Sequence, residues 1–320
     1  MRVLVVGGAG YIGAHVCEEL VNAGYDVRIY DDFSNGLHSR ITKFPDVVTA
    51  DVLDRESLLK AMAGVDSVIH LAAKKAVGES VDNPLKYYEN NFGGTLSILA
   101  AMKIAGVKKI VFSSTAAVYS PSEKPAITEE DSTIPLSPYG ATKLLSEQLI
   151  SNVSSAEGFS CVSLRYFNVA GSGSDEMGDN SRDNLVPKVF LAITNSERPE
   201  VFGTDYPTPD GTCIRDYIHV SDLARAHIDA LKAVEKSRID EIYNVGSGNG
   251  FSVTEVMTEI EKAMGKNLNP ILGPRRAGDS PKLIASIEKI SRDLGWKPKH
   301  TLRDMITSSW SAWQSQGGSR

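Results

Sequence analysis

Hydrophobic and polar positions along the first half of the chain fall into short blocks that predict strands and helices in alternation. Short, mostly apolar runs are typical of strands buried on both faces, and the segments between them carry apolar residues at helical spacing. Strands are predicted over residues 3–6, 26–30, 47–50, 67–71, 109–113 and 160–166, and helices over 14–23, 55–63, about 83–105 and the segment after Pro138. This alternation predicts an α/β fold with a doubly wound, parallel sheet.

The pattern changes near residue 170, because Gly, Ser, Asp and Asn dominate residues 171–184. The remaining sequence predicts helices at 186–194, 222–234 and 253–264, strands at 214–220 and 241–245, and a terminal helical region from 284. We expect the strand at 214–220 and the helix after it to return to the first layer. The predicted organisation is a cofactor-binding domain of residues 1–168, joined again by 213–249, and a smaller C-terminal, substrate-binding α/β region of residues 169–212 and 250–320.

A glycine-rich turn follows the first predicted strand. Gly7, Gly10 and Gly13 suit a dinucleotide-binding turn, which needs unusual dihedrals, close approach to a pyrophosphate and tight packing of the next helix. Their spacing differs from the commoner Gly-x-Gly-x-x-Gly, and such turns also occur for structural reasons alone. Asp31 strengthens the prediction, because a carboxylate at the end of the second strand binds the adenosine ribose and repels a 2'-phosphate. The sequence therefore favours a Rossmann-type domain that binds NAD rather than NADP.

The segment Ser-Pro-Tyr-Gly-Ala-Thr-Lys, residues 137–143, carries a candidate base. Once Pro138 opens a helix, Tyr139 and Lys143 project from one face, four residues apart. A tyrosine ionises near pH ~10, and a neighbouring ammonium lowers the phenol's pKa toward the working range. Such pairs also occur on solvated helices. The glycine-rich turn upstream, and the hydroxyl of Thr115 between that turn and this motif, strengthen the prediction that the pair is catalytic.

Charge and composition exclude several other classes. The net charge of -6 and the absence of a Lys/Arg block argue against a nucleic-acid surface, and no apolar run approaches the ~20 residues that span a bilayer. The chain begins with a strand-forming run rather than a signal peptide, so we expect a cytoplasmic protein. Cys17, Cys161 and Cys213 fit neither a disulfide framework nor a zinc cluster. His70 and His219 have no ligand cluster around them, so both are interpreted as structural and no metal is expected.

The order and spacing of several motifs resemble those of the extended short-chain dehydrogenase/reductases, and within them the UDP-glucose (UDP-galactose) 4-epimerases. The resemblance covers almost the whole chain, from GGAGYIG through KAVGESVDNPLKYYENN, SSTAAVY, SPYGATK, LRYFN and GTCIRDYIHV to PRRAGD. It implies reversible, NAD-dependent 4-epimerisation of UDP-glucose and UDP-galactose through a 4-keto intermediate. In that reaction Tyr139 would take the proton of the sugar 4-hydroxyl and Thr115 would bind the same oxygen. Lys143 would lower the phenol's pKa and hold the nicotinamide ribose.

The resemblance also assigns two groups of binding residues. Those implied to contact NAD are Gly7, Gly10, Tyr11, Ile12, Gly13, Asp31, Asp32, Asn35, Asp51, Val52, Leu71, Ala72, Ala73, Lys75, Asn90, Tyr139, Lys143 and Phe167. Those implied to contact the UDP-sugar are Thr115, Tyr139, Asn168, Asn184, Leu185, Phe202, Arg215, Arg276, Asp279 and Leu283. Arg215 and Arg276 suit a diphosphate, because a guanidinium binds oxygens bidentately and keeps its charge. Phe202 would stack on uracil, although an aromatic residue in such a strand is often core.

Other activities are weighed against this one. Leu283 occupies the position that gates the sugar pocket in the family, where a bulky residue tends to exclude N-acetyl sugars, so we expect preference for UDP-glucose and UDP-galactose. An epimerase for another UDP-sugar, an N-acetylhexosamine or a pentose, stays open. A nucleotide-sugar dehydratase is disfavoured, because Ala116 and Ala117 replace its acid/base pair, and the intact catalytic residues argue against a non-catalytic NAD-binding protein. The resemblance further implies a homodimer, formed by the helix ending near residue 105 and the helix of Tyr139.

Overall fold

Strands and helices alternate along the chain in the computed structural model, which describes residues 1–276 and 279–317. The strands are β1 (Arg2–Val6), β2 (Asp26–Asp31), β3 (Val47–Thr49), β4 (Ser67–His70), β5 (Lys109–Ser113), β6 (Ser160–Tyr166), β7 (Asn168–Ala170), β8 (Glu200–Phe202), β9 (Ile214–His219), β10 (Asp240–Val245), β11 (Gly250–Ser252), β12 (Ile271–Gly273) and β13 (Lys282–Leu283). The helices are α1 (Tyr11–Asn22), α2 (Arg55–Ala61), α3 (Val77–Asp82), α4 (Pro84–Tyr87), α5 (Gly94–Ala105), α6 (Pro138–Glu157), α7 (Leu185–Thr194), α8 (Val220–Lys236), α9 (Val253–Met264), α10 (Glu288–Leu294) and α11 (Leu302–Ser315). Over the described residues, no helix has the length and apolarity needed to cross a membrane.

The main sheet has seven parallel strands in the order β10-β6-β5-β4-β1-β2-β3. Successive residues of β1 face opposite layers: Val3 and Val5 pack in a core with α1 and α8, whereas Leu4 and Val6 pack with α2 and α5. The chain runs outward from β1 to β3 and then returns to β4 on the other side of β1. The predicted doubly wound sheet is therefore confirmed. Its switch point, where ligands bind in such folds, lies beyond the carboxyl ends of β1 and β4.

Four strands that are not part of the main sheet form a second, smaller sheet. The strands run in the order β11-β9-β13, with β7 also paired to β9. The expectation that the strand at 214–220 returns to the first layer is wrong. β7 extends β6 after Phe167 and pairs with β9 at Asn168–Tyr217, which draws β9 into the smaller sheet. α8 and β10 do return to the main sheet, where β10 pairs with β6. The proposed domain boundaries stay a prediction.

The helix expected over residues 83–105 is also different in the structure. A π-helical turn, Tyr88–Gly93, separates α4 from α5. Within it the side chain of Asn91 is buried and bonds the backbone N–H and carbonyl of Lys74 (2.8 and 3.0 Å) and the hydroxyl of Thr142 (3.1 Å). Helical periodicity does not reveal these long-range contacts. The turn thus ties the segment after β4 to α6, which carries Tyr139.

Candidate active site

The glycine-rich turn between β1 and α1 leaves no room for side chains. Gly7 has φ +89°, and a Cβ atom there would lie 2.6 Å from the amide nitrogen of Ala72. A Cβ at Gly13 would lie 2.1 Å from the carbonyl oxygen of Gly7. Gly10 precedes the first residue of α1 and supplies no side-chain cap, so the N–H groups at the positive end of the helix face the turn. This cradle fits a pyrophosphate.

Asp31 lies beside the turn, at the end of β2. Its carboxylate is 7% exposed and accepts the N–H groups of Ala9 and Phe33, each at 2.9 Å. Burial raises the pKa of Asp31, and these two hydrogen bonds lower it. Asp32 and Asn35 are exposed on the following loop. The acid predicted to bind the adenosine ribose therefore sits at the carboxyl end of its strand, against the glycine turn.

Other residues implied to contact NAD follow the neighbouring strands. Leu71 and Ala72 continue from β4, and their N–H groups both donate to the carbonyl of Val6 (2.8 and 2.9 Å). Of the remaining members, Asp51 and Lys75 are exposed, and Tyr11, Ile12, Ala73 and Asn90 are half-buried. Val52 is buried, with its side chain against the backbone of Gly94. Lys74, which is not among the residues implied to contact NAD, donates to the hydroxyl of Ser34 in the loop after β2 (3.0 Å).

The candidate catalytic residues meet at the end of β5. Ser137 caps α6 by accepting the N–H of Gly140, and Pro138 is its first residue. Tyr139 is 8% exposed and Lys143 2% exposed. Burial raises the pKa of Tyr139, and a hydrogen bond with the Thr115 side chain lowers it. Thr115, Tyr139 and Lys143 are therefore brought together as predicted from the sequence, at the switch-point side of the sheet.

The ammonium of Lys143 is held by the backbone of β5. It donates to the carbonyl of Ser113 (2.8 Å) and lies 4.8 Å from the ring centroid of Phe112. Burial lowers the pKa of Lys143 to about 7, and the charge of Glu147 raises it. Glu147 forms a buried ion pair with Arg165 (2.6 Å) and accepts the hydroxyl of Ser114. The sequence analysis missed this pair, because nothing in the spacing of residues 147 and 165 indicates contact.

The predicted diphosphate residues, Arg215 of β9 and Arg276 of the segment after β12, belong to one cluster. The carboxylate of Asp279 pairs with Arg276 (2.9 Å) and with Arg215 (3.3 Å). The guanidinium of Arg276 lies 5.2 Å from the ring centroid of Phe202, and the ammonium of Lys188 lies 5.5 Å from the same centroid. These contacts link four of the residues predicted to bind the UDP-sugar, namely Phe202, Arg215, Arg276 and Asp279. Lys188 joins them, although the sequence analysis did not identify it.

The other predicted substrate residues surround this cluster. Asn184 precedes α7, and its amide donates to Asp179 (2.6 Å), while Leu185 is the first residue of the helix. Asn168 is exposed at the start of β7. Leu283 is paired with Arg215 in the strand register and packs against a core cluster that contains Ala116 and Phe167. Leu283 therefore links the arginine cluster to the segment that follows Thr115.

Neither singled-out histidine has a metal-like setting. His70 is buried against the hydroxyl of Thr95 (3.1 Å), and burial holds the pKa of His70 well below its ordinary value. His219 accepts the N–H of Ser221 (3.1 Å) and is stacked on His300 with ring centroids 4.1 Å apart. Across residues 1–276 and 279–317, His, Cys, Asp and Glu side chains form no group of three that could hold a metal ion.

Comparison with known proteins supplies the family. Residues 3–246 match the sequence profile described as the NAD dependent epimerase/dehydratase family. The chain belongs to this family. A UDP-glucose 4-epimerase of Bacillus subtilis is 43% identical, in an alignment covering 98% of this chain and 97% of the relative.

Solved structures of similar sequence share the fold. The UDP-glucose-4-epimerase of Stenotrophomonas maltophila, with bound NAD and formylated UDP-arabinopyranose, has a TM-score of 0.95 at 38% identity, covering 99% of this chain and 98% of that one. The enzyme of Bifidobacterium longum, in complex with NAD+ and UDP, has a TM-score of 0.91 at 40% identity, covering 99% of both chains. The family resemblance predicted from the motifs is confirmed. The roles of the individual site residues stay predictions.

Proposed function

We propose that this protein is an NAD-dependent epimerase that interconverts UDP-glucose and UDP-galactose by inverting C4 of the sugar. The observation that carries the proposal is the meeting of Thr115, Tyr139 and Lys143 at the end of β5, beside the switch point of a dinucleotide-binding sheet. The identity of 43% to a UDP-glucose 4-epimerase over almost the full length supports the choice of reaction.

The cofactor cradle is built from backbone and one carboxylate. Gly7 and Gly13 allow the turn to close, the N-terminus of α1 would face the pyrophosphate, and Asp31 would hold the adenosine ribose. When bound, NAD supplies an acceptor and donor of hydride for the sugar's C4. The carboxylate of Asp31 disfavours the extra phosphate of NADP, because like charges repel.

Tyr139 is the group that moves the proton. Its phenolate would accept the proton of the sugar 4-hydroxyl and later return it to the same oxygen. Burial makes the phenolate costly, and the hydrogen bond with Thr115 offsets part of that cost. The cation of Lys143 would offset more of it. The carbonyl of Ser113 fixes the ammonium of Lys143 at one place.

Inversion requires the sugar to present both faces to the cofactor while the nucleotide stays bound. Arg215 and Arg276 would bind the diphosphate, Phe202 would stack on uracil, and Asp279 would hold the uridine ribose. Asp279 pairs with both arginines and the guanidinium of Arg276 lies near the ring of Phe202, so these four residues would hold the nucleotide together. Leu283 would limit the size of the sugar that can turn, which favours UDP-glucose and UDP-galactose over N-acetylated sugars.

We also propose a cytoplasmic homodimer. Apolar side chains are exposed on the neighbouring helices α3 to α6, among them Val81 (60%), Leu85 (83%), Leu96 (39%) and Leu145 (37%). Exposed apolar side chains on neighbouring helices are typical of subunit interfaces. All three cysteines are buried and free, which suits a reducing compartment.

The test is to follow purified protein with UDP-galactose by proton NMR, with and without added NAD. We expect conversion to UDP-glucose. Replacing Tyr139→Phe should lower turnover by about 10²- to 10⁴-fold, the range for loss of a general acid/base group, while bound NAD is retained. An unchanged rate in this variant would remove Tyr139 from the mechanism. No conversion by the wild type, with NAD supplied, would overturn the proposed activity.

A further inference from the structure

His227 is a buried residue on α8 that the proposed reaction does not use. Its side chain has no exposed surface. The ring spans two partners: Nδ1 lies 2.9 Å from the carbonyl oxygen of Leu223, and Nε2 lies 2.7 Å from the hydroxyl oxygen of Ser113. α8 begins directly after β9, which carries Arg215, and packs against β5. His227 therefore connects α8, which packs on the main sheet, to the last residue of β5.

The two contacts define which atoms donate. A backbone carbonyl only accepts, so the proton must be on Nδ1 of His227, and Nε2 presents a lone pair to Ser113. Burial lowers the pKa of His227 to about 4, which keeps the ring neutral under ordinary conditions. The hydroxyl of Ser113 must then donate to His227.

Ser113 is at the same time the residue that holds Lys143. Its carbonyl accepts the ammonium at 2.8 Å, so the last residue of β5 is fixed from α6 through its backbone and from α8 through its side chain. The next two residues also contact α6: Ser114 donates to Glu147, and Thr115 forms a hydrogen bond with Tyr139. A shift of Ser113 would move the ammonium relative to the phenol.

We propose that His227 is a positioning residue for the proton transfer, which holds Ser113 so that its carbonyl keeps Lys143 beside Tyr139. The inference rests on the proposed roles of Tyr139 and Lys143. It goes beyond them by assigning a task to a histidine that contacts neither the substrate cluster nor the glycine turn. A histidine that only filled space would not need its Nε2 atom directed at a hydroxyl, and this difference can be tested.

Two amide variants separate the two contacts. In His227→Gln the side-chain oxygen can replace Nε2 and accept from Ser113, whereas in His227→Asn the shorter amide can replace Nδ1 and donate to Leu223 but cannot reach Ser113. Both remove the imidazole and place an amide in the same buried site. Ser113→Ala removes the same hydrogen bond from the other side with a small change in volume. This variant serves if an amide variant does not fold.

The measurements are kcat and KM for UDP-galactose, calorimetric affinity for UDP, and melting temperature. We expect His227→Asn and Ser113→Ala to lower kcat by about 10- to 100-fold, the cost of a small misplacement of reacting groups. KM and UDP affinity should change by less than about twofold, because the nucleotide cluster is untouched. His227→Gln should restore most of kcat, and Ser113→Ala combined with His227→Asn should lose little more than either alone.

Equal kcat for the Asn and Gln variants would overturn the inference, and so would a kcat for Ser113→Ala equal to that of the wild type. If UDP affinity or melting temperature falls while kcat of the folded protein is unchanged, His227 is only structural. These outcomes differ from failure of the proposed function. In that case the wild type itself would convert no UDP-galactose, and the role of His227 would fall with it.

Discussion

The phenol of Tyr11, in the glycine-rich turn, donates to the backbone carbonyl of Gly171 at 2.5 Å, although the two residues are 160 positions apart. Gly171 directly follows β7, the strand that begins with Asn168. The same loop is held twice more, by His15, which accepts the N–H of Gly173 (2.8 Å), and by Arg40, which donates to the carbonyl of Gly178 (2.6 Å). Direct hydrogen bonds therefore join the start of α1 and the segment after β2 to the loop that follows β7.

Tyr11→Phe should loosen this connection. We expect a loss of about 1 kcal/mol of stability, the net contribution of a typical hydrogen bond, and weaker binding of UDP, because the loop leads from β7 toward Asn184. NAD binding should change little, because Tyr11 would contact the cofactor through its backbone N–H at the start of α1, which the substitution keeps. Thermal unfolding and calorimetry with UDP and with NAD measure the three effects.

Tyr25→Phe is the matched control. The hydroxyl of Tyr25 donates to Glu235 (2.9 Å), within the main domain and away from the loop. It should cost comparable stability and leave UDP binding unchanged. If both variants weaken UDP binding equally, the bond between Tyr11 and Gly171 does not connect the two halves of the site.

Leu283→Ala should widen the sugar pocket. Leu283 pairs with Arg215 in the strand register and packs against the cluster that contains Phe167. Shortening its side chain to a methyl group opens space beside the segment after Thr115. We expect kcat/KM for UDP-N-acetylgalactosamine to rise by about tenfold or more, a change of the size that pocket volume alone produces. Leu283→Met, which conserves volume, should not show the gain. A similar gain in both variants, or in neither, would contradict a gate at Leu283.

Lys143 should leave a signature in the pH dependence of stability. Its pKa is about 7 in the folded protein and ~10.4 in an unfolded chain, so between these values the unfolded state binds more protons. Stability should therefore rise with pH across this window, and each pKa unit corresponds to about 1.4 kcal/mol. Urea unfolding of nucleotide-free protein at pH 7, 8 and 9 should show a steeper rise for the wild type than for Lys143→Met. Lys60→Met, at an exposed lysine, should keep the wild-type slope.

Local signals account for what the sequence could predict. The turn at Gly7 to Gly13, the helix start at Pro138 and the spacing of Tyr139 and Lys143 are each contained within a few residues. They predict the Rossmann-type sheet and the catalytic group at its edge without knowledge of distant contacts. The family resemblance then indicated which arginines and aromatic residues belong to the substrate side.

Long-range contacts account for what could not be predicted. The π-helical turn depends on Asn91 reaching Lys74 and Thr142, and neither contact leaves a mark on helical periodicity. The strand at residues 214–219 resembles β2 of the main sheet in composition, because each mixes charged residues with Ile and Tyr, and its pairing with β7 decides where it goes. Arg165 and Lys188 looked like ordinary cations in the sequence. Their roles follow from the partners that the fold brings to them.

The pairing of β10 with β6 imposes an order on folding during synthesis. Cys161 and Asp240 are register partners 79 positions apart, so β6 stays an open edge until β10 has emerged from the ribosome. At about 5–20 residues per second, that interval is roughly 4–16 s. Throughout it, the unpaired backbone of β6 is a template for pairing with another chain. A nascent chain that ends near residue 168 therefore exposes the unpaired edge of β6, to which we expect chaperones to bind, and its cofactor-binding sheet is still incomplete.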